Sequence, residues 1–325
     1  MDVIETPEEP AWPAGTARKP LWKRVLQFPL VALVLAFLIM VVAQALGAGV
    51  SYLAGTRGKA IAMPTDLIFA LAGTGLMVLA YKLIVVRMGE QPRDDLPFDR
   101  RAGDTVSGFV QGGLVFSAIV GVAALLGTYQ VLGLSPAEDW LPILIATGLM
   151  AGVTEEILLR GIVFRWLEEL GGSWVALALS ALIFGSLHAA NPNATLISSL
   201  SIALAAGMLL GGAYMLTRNL WLAIGMHAGW NVTQGLVWDV PVSGVALDGW
   251  VESRLVGDPI LSGGAFGLEA SVLTMIIATA YGVWLIVRAV RRGHVVRNRW
   301  ARRRLVSDEA VWVDVDADPH PLREA

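Results

Sequence analysis

The sequence predicts an all-α fold, a polytopic integral membrane bundle of about eight transmembrane helices, and three observations carry that reading. The first is composition: 55% of the 325 residues are hydrophobic and 16% are charged, with a mean hydropathy of +0.63, against about 25% charged in an ordinary soluble chain. A soluble domain of this length would have too little polar surface to cover its core, whereas lipid solvates apolar side chains without penalty. The second is the recurrence of apolar runs of about 20 residues, long enough to cross about 30 Å of hydrocarbon as helix. The third is the placement of the basic residues between those runs.

Taken in order, residues 1–25 form a polar N-terminal segment whose Glu5, Glu8, Glu9 and prolines are unlike the basic start of a signal peptide. Ala43-Gln44-Ala45 has the small-residue spacing of a cleavage site. The apolar run before it is longer than a usual signal core, so 26–48 reads as an uncleaved anchor and first span. Further spans are expected at 66–86, 106–127, 140–160, 173–189, 195–217, 220–238 and 269–290, the fifth being short for a crossing. Trp22, Trp140, Trp166, Trp174, Trp221 and Trp238 fall near the ends of these runs, where an indole can sit in the apolar edge and still bond water. The bundle therefore occupies 26–290. The segment 239–268, with Asp239, Asp248, Glu252 and Asp258, reads as a plain outer connector. Residues 291–325 read as a charged tail, a basic run followed by Asp308, Glu309, Asp314, Asp316 and Asp318.

With the N-terminus inside, 21 of the 24 basic residues fall in inside segments, and the outer loops hold only Arg57, Lys59 and Arg254. That asymmetry places both termini in the cytoplasm. Twenty of the 24 are Arg, clustered at span ends; no uniform basic face for nucleic acid is visible, and none is expected as a partner. The Arg-over-Lys and Ala/Gly/Val bias fits a GC-rich bacterial genome and hence a bacterial plasma membrane. The absence of Cys excludes disulfides, a thiolate nucleophile and Cys-ligated metal. No HExxH, GxGD or GxSG motif occurs.

Glu155 and Glu156 stand inside the fourth span. An ionisable group there costs at least about 2.5–3.5 kcal/mol on insertion scales, so an adjacent pair lines a polar cavity or does chemistry. Arg160 follows Glu156 at i+4 on the same helix face and can pair with it. Glu155, rotated away, is free for another partner. The two can divide roles, one ionised and structural, the other a general base. His188 and His227 also lie in spans, with Phe184 and Asn231 as their i±4 companions. The same residues could instead form an ion pair that fixes packing in a non-catalytic scaffold, or a proton or cation site in a coupled transporter. Gly225/Gly229 and Gly207/Gly211 are spaced for close helix packing. Counted at about 1.5 Å per residue from the span ends, Glu155 and His227 fall in the cytoplasmic half and His188 nearer the outside. A deeply set fifth helix would bring them level.

The ordered set Glu155-Glu156-xxx-Arg160, Phe184-xxx-His188 and His227-xxx-Asn231 resembles the signature of the CPBP family, the CAAX prenyl protease type II and bacteriocin-processing (Abi) intramembrane proteases. The resemblance covers about 140–235, the expected protease core. It implies an eight-helix peptidase with catalytic residues Glu155, Glu156, Arg160, His188, His227 and Asn231: Glu155 with His188 activates water, His227 and Asn231 stabilise the oxyanion, and Arg160 holds Glu156. It implies a metalloendopeptidase with Zn²⁺ held by Glu155, His188 and His227, or else direct attack by glutamate-activated water; the sequence does not separate these. The implied substrate is a peptide or membrane protein within the bilayer. Nothing in the sequence shows a prenyl groove, and oligomeric state is not encoded in any motif.

Overall fold

The computed structural model of the protein describes residues 20–53, 65–89, 92–136 and 140–302. Most of the polar N-terminal segment, Arg57 and Lys59 of the first loop between spans, and the acidic part of the tail lie outside the described residues. Each of the eight apolar runs forms a helix: α1 (Pro29–Leu53), α2 (Thr65–Leu83), α3 (Asp104–Leu125), α4 (Trp140–Gly171), α5 (Ser173–Leu187), α6 (Leu196–Thr217), α7 (Trp221–Val232) and α8 (Val272–Arg291). Among the described residues six helices, α1, α3, α4, α5, α6 and α8, are long and apolar enough to cross a membrane. Helix α2 is only partly covered by the described side chains. Helix α7 has 12 residues, extended by a five-residue π-helical turn through Val237.

That short helix is the axis of the bundle, buried along its length between α3 and α4. Its glycines explain how. The Gly229 Cα lies against the Phe109 carbonyl of α3, so close that a Cβ would collide with backbone, and Gly225 meets the Thr105 carbonyl in the same way. Removing side chains from one face lets backbones approach, which replaces the hydrophobic drive that lipid does not supply. Gly207 does the same for α6 against Ala181 of α5, and Gly211 makes room for the end of the Leu177 side chain. Both sequence pairs are packing faces.

Three expectations need correction. The fourth helix does not stop near 160 but runs 32 residues to Gly171. Trp166 is therefore no interfacial anchor: it is fully buried. Trp221 and Trp238 likewise give their indole N–H groups to Pro97 O and Ser117 Oγ; Trp22, Trp140 and Trp174 remain exposed. Nor is 239–268 a plain connector. Its strand β2 (Val251–Leu255) pairs antiparallel with β1 (Tyr129–Leu134), which follows α3, and a tight turn closed by the Val242–Val245 bridge reaches back over the helices.

At the opposite end, a buried ionic cluster ties loop 84–99 to the helices. Arg218, in the left-handed region at φ 56°, ends α6 and grips Glu168 of α4 with two bonds of 2.8 and 2.5 Å. Arg93 pairs with Asp95 at 2.8 Å and bonds the Tyr214 hydroxyl at 2.6 Å. Burial raises the Asp95 carboxyl above its ordinary range, against the opposing pull of Arg93 and Arg165.

Candidate active site

Glu155 and Glu156 lie on a six-residue α-helical segment, Ala151–Glu156, set between two π-helical stretches of α4, Ile143–Met150 and Ile157–Phe164. Such widened turns are rare and frequent at functional sites, because they re-aim side chains without breaking the helix. Glu156 is fully buried, and its Oε1 accepts from Arg160 Nη1 at 2.7 Å and from His227 Nδ1 at 2.9 Å. A carboxylate only accepts, so Nδ1 carries the hydrogen, and in the neutral imidazole Nε2 is the open nitrogen of His227. That Nε2 stands 3.9 Å from Glu155 Oε2, a buried oxygen with no hydrogen-bond partner. The gap is too long for a direct hydrogen bond and suits one water bonded to both atoms.

The Arg160 guanidinium lies over the Phe184 ring at 4.9 Å and bonds Ala206 O at 3.4 Å. Phe184 turns ring edges toward His188 at 4.7 Å and His227 at 6.0 Å. His188, in the 3-10 turn that ends α5, gives Nδ1 to Phe184 O at 2.8 Å. Asn231 gives one amide hydrogen to Thr147 O at 2.9 Å, leaving its second N–H and its oxygen free. His188, His227 and Asn231 line one cavity of about 370 Å³ including its open mouth, together with Phe184, Trp230 and Glu269.

The depth mismatch counted from the sequence is thereby resolved. The long α4 and α5 form a hairpin about Gly172 (φ 85°), and Glu156 lies as many residues before that turn as His188 lies after it. The short fifth helix comes level with Glu156 because its partner runs on to Gly171 before the turn.

Two site expectations differ from the geometry. His227, not His188, is the histidine beside Glu155. And the Glu155, His188, His227 ligand set for Zn²⁺ is not assembled: among the described residues no three His, Cys, Asp or Glu side chains stand close enough to hold a metal ion. The physical reason is that His188 is turned to its own helix carbonyl, while His227 Nδ1 is committed to Glu156.

Sequence reasoning also missed Glu269. It is 7% exposed and accepts from Trp230 Nε1 at 3.0 Å, Ser243 N at 2.7 Å and Ser243 Oγ at 2.9 Å. Its position just before Ser271, the N-cap of α8, gave it the look of an ordinary span-end carboxylate.

Residues 137–233 match the family model for Rce1-like, type II CAAX prenyl endopeptidase Rce1-like, proteins. Comparisons with curated proteins and with solved structures find no match. The matched stretch runs through α4, α5, α6 and α7 and contains Glu155, Glu156, Arg160, His188, His227 and Asn231. Over these residues, about a third of the chain, the protein is similar to the Rce1-like type II CAAX prenyl endopeptidases.

Proposed function

We propose that the protein is an intramembrane endopeptidase in which Glu155 activates water directly and Glu156, fixed by Arg160, orients His227. The observation that carries this reading is the buried chain Arg160–Glu156–His227, which ends 3.9 Å from the unpartnered Glu155 Oε2. A water in that gap donates one hydrogen to His227 Nε2 and the other to Glu155. As its oxygen attacks the peptide carbonyl carbon, Glu155 takes the proton. The free Asn231 N–H bonds the developing oxyanion, a contact worth more in a water-poor cavity than in solvent. When the C–N bond breaks, the proton passes from Glu155 to the leaving amine; the products are an amine and a carboxylic acid, which then loses its remaining water proton to solvent. His188, on the same wall, positions the substrate.

Because the three expected ligands are not gathered, no step is routed through a metal. The substrate in this reading is a peptide or membrane protein that enters from the bilayer. The basic-residue asymmetry supports a bacterial plasma-membrane protein with both termini cytoplasmic. The test is mass-spectrometric mapping of peptide termini in membranes from cells carrying the wild type or an equally expressed Glu155→Gln variant. Termini lost with the variant establish proteolysis and name substrates; identical termini refute the reading.

A further inference from the structure

We propose that Glu269 makes a cation subsite at one end of the cavity, so that the preferred substrates carry a lysine-type alkylammonium group beside the scissile bond. The proposal deepens the peptidase reading and rests on it for the word substrate, but the binding site itself stands on separate observations.

Glu269 is a carboxylate buried in a cavity wall, and among the described residues no cationic side chain pairs with it; its three donors, Trp230 Nε1, Ser243 N and Ser243 Oγ, are all neutral. A buried charge is normally neutralised by an ion pair, as Glu156 and Glu168 are here. Three donors leave one of the roughly four acceptor positions of the carboxylate unused. Away from His188, His227 and Asn231 the wall is apolar, with Ile202, Leu209, Leu210 and Met226, and so suits a methylene stem rather than a hydrated ion.

Two neighbours complete an ammonium site. The Trp230 indole lines the same cavity, and aromatic faces attract cations. Ser243 Oγ spends its hydrogen on Glu269 and presents only lone pairs to anything else. Ser243 is held in place from outside: its carbonyl accepts from Asn191 at 3.1 Å, and Gly244 N bonds Phe266 O at 2.9 Å. Trp230 is the residue next to Asn231 and one helical turn from His227, so an ammonium at Glu269 lies against the wall where the bond would be cut. The turn 242–245 thus acts through Glu269 as part of the substrate-reading surface.

The experiment uses the full chain in detergent and n-butylammonium chloride as a mimic of the lysine side chain, with 1-butanol and sodium chloride as controls. The unfolding temperature should rise with butylammonium and with neither control, and Glu269→Gln should weaken the apparent affinity at least about tenfold. Should Gln at 269 not give folded protein, Ser243→Lys on the partly exposed turn supplies an internal ammonium and must abolish the effect. An equal response to butanol, or an affinity unchanged in these variants, overturns the subsite. In a second arm, peptides with Lys or norleucine scanned through each position should show at least one position where Lys is preferred about tenfold by the wild type and not by Ser243→Lys. Butylammonium binding through Glu269 with termini insensitive to Glu155→Gln would refute the peptidase reading alone; proteolysis without that binding would refute the subsite alone.

Discussion

Replacing Arg160 with Met tests the buried relay most directly. On an exposed helix an i,i+4 ion pair contributes about 0.3–0.5 kcal/mol, because water solvates either charge once the other is removed. Here both side chains are 0% exposed, so Arg160→Met leaves a carboxylate whose remaining partner is His227 Nδ1. Removing one member of a buried pair costs about 3–5 kcal/mol, which at about 1.4 kcal/mol per decade lowers the folding equilibrium constant between a hundredfold and a few thousandfold. The double variant Arg160→Met/Glu156→Gln removes both charges and should recover most of that loss, since a buried pair is often no better than neutral groups of similar shape. It should not recover cleavage: without the carboxylate that fixes its tautomer, His227 is free to reorient, and the rate should stay about 10²–10⁴-fold down. The assay is SDS-driven unfolding in mixed micelles followed through the chain's 12 tryptophans, with cleavage measured on the same samples. A cost below about 1 kcal/mol for the single variant, or a double variant no more stable than the single, refutes the reasoning.

Other outcomes follow from the same contacts. Gly229→Ala should cost about 3 kcal/mol or more, the upper end for overpacking, because its Cβ would meet the Phe109 backbone of α3; unchanged unfolding would mean that α3 and α7 are not in contact. Incubation with a metal chelator should leave cleavage within about twofold of the untreated rate, and loss restored by added Zn²⁺ would show that substrate binding gathers the three ligands after all. Asp95 gives a pH signature. Its folded carboxyl lies above the unfolded value of 3.8, so the folded state binds that proton first. The Asp95 contribution therefore grows as pH falls through the folded value toward 3.8 and is lost as pH rises back through it; the stability difference between wild type and Asp95→Asn should show that slope, and a flat difference would mean that Asp95 is solvated.

The helices were legible because lipid leaves a chain no alternative: backbone groups must be satisfied within each span, and the apolar runs record that requirement. Their ends were less so. Tryptophan near a run end reads as an interfacial anchor, yet Trp166 is core, and α4 continues beneath it. The pairing of Glu156 with Arg160 was visible from spacing alone, since i+4 fixes it within one helix. Which histidine faces Glu155 was not, because that depends on how far α4 and α5 extend before turning at Gly172. Glu269 was hidden for a related reason: a carboxylate at the mouth of a span is ordinary in sequence, and only the return of the 242–245 turn makes it part of a cavity. Strands β1 and β2 gave no alternating signal, since Val131, Leu132 and Leu134 are all exposed hydrophobics.

The way α7 is enclosed bears on biogenesis. It is short and carries His227, Asn231 and Gln234, so it is a poor candidate for stable residence in lipid by itself. Two of its polar residues find their partners on α4: Thr147 supplies the acceptor for Asn231, and Glu156 the acceptor for His227. A nascent or misassembled chain therefore carries Glu156, His227 and Asn231 without their alignment. The alignment of His227 with Glu156 is thus a property of the packed α4–α7 contact and of neither helix alone.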